Sequence, residues 1–234
     1  EFIFDLRASL RQGGLDERTN LCIYLPIDSK FKKEILSAKK LSKTIREKIE
    51  KLAKELINKN KKKMEIFNRK IQRYWDKKIG KKYFNEIEKQ IGIKFNKKYH
   101  CYLTNTVVGS YYPPHEIALH YAYIKKNLIE ASFTIAEELV HLIYWRYWSR
   151  IFKKRLSNDI YEGKKWSAWH ISEVIPDYII VENPVFSKFK WNKMKRYEGY
   201  PWIPELRKIL DPLWKSKKDF KDFLIKAHKR LKIK

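Results

Sequence analysis

The sequence predicts an α+β fold: helices at both ends of the chain and a small sheet between them. Three observations carry that prediction. Long segments on either side repeat apolar residues at helical spacing. A short central stretch changes to residues rich in Tyr, Val, Ile and Thr. The segment after it, "TIAEELVHLIYW", is apolar on nearly every side and reads as a buried helix. With 234 residues, 44% hydrophobic and 15% aromatic, the chain has ample material for a packed core, which a disordered chain would lack.

Each element follows in order. The first stretch, "EFIFDLRASLRQGGLDERTNLCIYLPID", has short apolar runs broken by Gly13-Gly14 and Pro26, suiting a strand or two. Asp28 or Ser29 can cap a long helix over about 31–58, with Ile35, Leu41, Ile45, Ile49, Leu52 and Ile57 at helical spacing. The run "NKNKKKM" interrupts the pattern. A second helix is expected over about 66–91, with Ile71, Tyr74, Trp75, Ile79, Phe84, Ile87 and Ile91 inward. "KYHCYLTNTVVG" and "EIALHYAYI" read as strands separated by the turn "GSYYPP". A helix over about 127–148 follows, then the basic link "RIFKKRLSNDIYEGKK" and the helical segment "WSAWHISEVIPDYIIVEN". Two shorter helices, about 204–214 and 217–231, close the chain. No internal repeat is present. The expected division is an N-terminal strand segment and basic helical arm (1–65), a core (66–190) and a C-terminal helical subdomain packed on it (191–234).

The formal charge is +26 and comes almost wholly from lysine. Such an excess fits a surface for nucleic acid, anionic membrane or acidic partners. It equally fits a lysine-biased composition filling solvated helix faces, and the spread of lysines over several helices favours that reading. Two cysteines, Cys22 and Cys101, point to a reduced interior and a cytoplasmic setting. There is no Cys-x-x-Cys pair for a cysteine-based zinc site. No apolar run approaches the roughly 20 residues that cross a bilayer. The sequence starts at Glu1, so a targeting signal is not readable from it.

The chemistry gathers on two helical segments. Glu137 and His141 are four residues apart and share a helix face, and Glu138 lies three residues from His141. Buried carboxylates must be paired, protonated or bound to a metal. Between Leu128 and Asn183 the chain carries eight acidic residues (Glu130, Glu137, Glu138, Asp159, Glu162, Glu173, Asp177 and Glu182) against seven basic ones. An acidic pocket in a basic protein suits a cation or a set of internal salt bridges. Glu173 and Asp177, again four apart, sit on the later segment with His170 one turn earlier.

This order (backing helix, strands, a buried helix with "EELVH", a later helix with "SEVIPD") resembles the gluzincin metallopeptidases over roughly residues 66–183. That family carries His-Glu-x-x-His on one helix and Glu-x-x-x-Asp on a later one. The resemblance implies metal ligands at Glu137, His141 and Glu173, a general base at Glu138, and a companion carboxylate at Asp177 orienting a ligand. It also implies that "EIALHYAYI" is the edge strand aligning a peptide or protein substrate. Two positions depart from the pattern. Glu137 stands where the first histidine belongs, making a harder, more negative set that suits iron or manganese as well as zinc. Pro176 lies inside the second helix, where proline removes a backbone bond.

Metal-dependent peptide hydrolysis at a Glu/His/Glu site is therefore the first functional expectation. A catalytically degenerate protein of that fold, binding peptides or serving structure, is the second. Plain alternatives exist for each residue. Glu138 and His141 can be a buried pair, Glu173 and Asp177 exposed carboxylates, and His170 a packing histidine. His115 and His120 lie in or beside the proposed edge strand, and alternation does not say which face they take. Tyr121, Tyr123 and Tyr144 are candidate oxyanion donors among fifteen tyrosines. Trp145, Trp148, Trp166 and Trp169 read as core. A di-iron bundle needs two Glu-x-x-His units and only one is present. A nucleic-acid-binding role would use the basic segment from Lys30 to Lys98, which carries no recognised nucleic-acid motif and is not favoured.

Overall fold

The N-terminal helices are set by their caps. In the computed structural model, which describes residues 27–38, 41–95, 98–104, 110–112, 116–125, 127–154, 165–191 and 200–233, Asp28 accepts a 2.8 Å hydrogen bond from the Phe31 backbone N–H. This opens α1 (Ser29–Ser37). Ser42 does the same for Ile45 at 3.2 Å, opening α2 (Lys43–Tyr74), a helix of 32 residues. The expected helix over 31–58 is thus two helices. The expected break at "NKNKKKM" does not occur, because that run contains neither glycine nor proline and lysine is a good helix former. The lost apolar period marks a solvated stretch. The expected boundary between residues 65 and 66 falls inside α2. The N-terminal strand segment expected before residue 27, with Cys22, lies outside the described residues.

A π turn, Trp75–Ile79, links α2 to α3 (Gly80–Ile91). A Cβ on Gly80 would come within 2.9 Å of the Trp75 indole nitrogen, so the close approach of that ring requires glycine. Gly92, with φ of 76°, ends α3 in the left-handed conformation.

The sheet has three strands: β1 (His100–Thr104), β2 (Ser110–Tyr112) and β3 (Glu116–His120). Its order is β1-β3-β2. β3 pairs parallel with β1, His100 opposite Glu116, and antiparallel with β2, Ser110 opposite Ala118. The expected edge strand is therefore the central one, and the outer strand next in sequence is β2. Ile117, Ala118, Leu119 and His120 are all buried. β3 runs straight into the short helix α4 (Tyr121–Ile124), so the strand is shorter than "EIALHYAYI".

Asn127 caps α5 (Leu128–Phe152) by accepting from the Glu130 N–H at 2.7 Å. As its composition dictates, α5 is the central helix, packing against β2, β3, α2 and the later helices. α6 (Ala168–Pro176) follows. At Pro176 the α-helical register ends, and the chain continues as a π turn, Asp177–Val181, then a 3-10 turn, Pro184–Phe189. The chain closes with α7 (Ile203–Lys215) and α8 (Phe220–Leu231).

One large core takes residues from α2 and α3, the sheet, and α5 through α8. The C-terminal helices contribute Leu206, Leu210, Phe223 and Leu224 to it, all fully buried. A second, small cluster joins α1 to the first half of α2 through Phe31, Ile35, Leu41, Ile45, Ile49 and Ala53. Mostly helical with one small sheet, the fold is α+β.

Candidate functional site

Glu137, Glu138 and His141 occupy the middle of α5, which two buried tyrosines hold in place. Tyr83 on α3 donates to the Ala136 carbonyl at 2.7 Å. Tyr144, one turn beyond His141, donates to the Ala168 carbonyl at 2.9 Å and ties α5 to the start of α6. The Tyr144 proton is thereby committed to a backbone oxygen. His141 is buried, and Glu137 and Glu138 are half-buried. Glu138 faces β1: together with burial, the larger cause, its charge pushes the Cys101 thiol up to about 12. Cys101 stays protonated and is a poor ligand or nucleophile there.

Glu173 and Asp177 are both buried, as a carboxylate site requires and as an exposed amphipathic face does not. Asp177, 1% exposed, meets the Arg207 guanidinium of α7 at 3.7 Å. Arg207 also pairs with Glu182 and with Asp211 at 3.2 Å. It lies 5.0 Å from the centre of the Tyr178 ring. Tyr178 donates to Asp211 at 2.6 Å, and burial, reinforced by that bond, holds its hydroxyl far above the usual phenol range. Arg207 was not among the residues the sequence singled out. The companion carboxylate thus faces a permanent cation.

Other candidates resolve into structure. His170 Nδ1 accepts from the Ser167 N–H at 3.1 Å and lies 2.8 Å from the Ser167 hydroxyl, forming the capping box of α6. Its ring lies among Trp166, Trp169 and Trp202, at 4.7 Å from the last, and burial lowers its pKa. Trp145, Trp148 and Trp166 are core residues. Tyr121 is buried edge-on to Phe67. His120 is buried at the end of the central strand. His115 and the Tyr123 side chain lie outside the described residues.

Whether these residues fit a metal is decided by their convergence. Among the described residues, no three His, Cys, Asp or Glu side chains form a group able to hold a metal ion. Glu137, His141 and Glu173, as arranged here, make no such group. Among the described residues, no helix is long and apolar enough to cross a membrane. Set against known proteins, the chain matches no family model, no curated protein and no solved structure.

Proposed function

We propose that this chain is a catalytically degenerate protein of gluzincin-like design, which holds a polypeptide segment without hydrolysing it. The buried ion pair between Asp177 and Arg207 is the observation that carries this reading. In a working site of that design, a carboxylate at this position serves the metal centre. Here a guanidinium takes it. Glu137, at the place of the first histidine, supports the same reading.

The order of elements supports the scaffold half of the proposal. α3 backs α5, the sheet precedes it, and α6 follows with Glu173. An extended segment laid along the outer strand β2 would lie close to α5, which packs on that strand. Backbone hydrogen bonds would then supply affinity.

Fluorescein-labelled casein tests the reading. The protein is expected to bind it, raising anisotropy, and to release no fragments whether or not zinc is added. Zinc-dependent cleavage abolished by Glu138→Gln would instead establish the hydrolase.

A further inference from the structure

The candidate site uses nothing from the exposed half of α2, yet that half has the highest density of positive charge that the described structure presents along one helix. Between Lys54 and Lys78, ten Lys or Arg residues stand against three acidic ones, and all ten are exposed. From Lys54 to Lys70 no residue is fully buried, although the flanking Ala53 and Ile71 are. The helix is therefore a solvated span between the small cluster and the main core.

Its charge is not evenly spread. Leu56, Met64 and Phe67 are half-buried on one side, with Phe67 packed edge-on to Tyr121. Most of the cations take the rest of the circumference, although Lys63 shares the face of Phe67 four residues on. Arg69, Arg73 and Lys77 follow at intervals of four residues, a row with steps of about 6 Å. That row lines a groove of about 400 Å³ together with Asn68, Gln72 and Asp76. The Gln72 amide donates to both Asp76 oxygens, at 2.9 and 3.0 Å, drawing the one carboxylate of the groove toward an amide. The π turn beginning at Trp75 shifts Lys77 within the row.

We propose that the groove along Arg69, Arg73 and Lys77 is a docking site for the phosphate backbone of nucleic acid, bound without regard to sequence. A regular row of exposed cations with flanking amides matches a regular row of phosphates. The apolar side of α2 argues against a membrane, since an interfacial helix must insert that side into lipid, and here it is partly covered by the protein itself.

Fluorescence anisotropy of the full chain with a labelled mixed-sequence DNA oligonucleotide, over a salt series, tests the site. The expected affinity falls log-linearly with salt. The triple variant Arg69→Gln, Arg73→Gln, Lys77→Gln should bind about tenfold or more weakly and reduce the salt slope by about 2 to 3. All three positions are exposed, so the fold should persist. A control with the same charge loss at the exposed Lys208, Lys221 and Lys229 should stay within about twofold of the native chain. Equal loss in both variants would reduce the effect to diffuse charge and overturn the site. So would no binding at low salt, or binding to phosphatidylserine vesicles in place of the oligonucleotide.

Discussion

Arg207 on α7 reaches the buried Asp177 carboxylate at 3.7 Å and joins it to Glu182, Asp211 and Tyr178. The pair crosses from the end of the α6 segment to the C-terminal helices, so it fastens the candidate site to the part of the chain that covers it. Arg207→Met removes the cation and leaves Asp177, at 1% exposure, in a low-dielectric position. Breaking such a buried pair costs about 3 to 5 kcal/mol. Urea unfolding should show that loss. Adding Asp177→Asn to Arg207→Met should restore a substantial part of it, a coupling that a purely steric role for Arg207 would not produce.

A second latch joins α5 to α8. The Trp148 indole N–H donates to His228 Nε2 at 2.8 Å, and the imidazole stacks on Phe152 at 4.0 Å. Burial, reinforced by Lys154, depresses the His228 pKa from 6.5 to about 4. The folded state therefore favours the neutral ring, and the unfolded state takes up the proton first as pH falls. The associated stability is fully present above about pH 6.5 and is lost as pH falls toward 4. A displacement of this size corresponds to about 3 kcal/mol. Thermal melts between pH 7 and 4 should show this decline, and His228→Gln, which does not titrate, should flatten it.

Cys101 offers a probe of the sheet face near Glu138. With its thiol pushed up to about 12 by burial first and by Glu138 second, it should react slowly with a disulfide reagent at neutral pH. Glu138→Gln should speed the reaction modestly, and unfolding in urea should speed it far more. Cys22 is replaced by Ser for this measurement. Fast labelling of Cys101 in the folded chain would contradict its packing against the main core.

What the sequence discloses and what it hides divides along physical lines. The central helix was legible because a segment apolar on every side admits only burial, and Asn127 marks its start. The C-terminal helices were legible from their period. The unbroken α2 was not, because a lysine-rich run loses the apolar period without losing helix propensity. The position of β3 at the centre of the sheet was not, because alternation reports which residues are inward and never which strand is next. Buried Glu173 and Asp177 were singled out from their spacing. Arg207 was missed: on a short amphipathic helix a lone arginine looks solvated, and its partner lies thirty residues earlier in the chain.

Metal content tests the central claim most directly. Protein purified without a metal-affinity tag is analysed for zinc, iron and manganese, beside the variant Glu137→His. The account predicts no stoichiometric metal in the native chain and stoichiometric zinc in the variant, where the missing histidine position is filled. Stoichiometric metal in the native chain would contradict the degenerate reading, and metal in neither protein would contradict the gluzincin-like design itself.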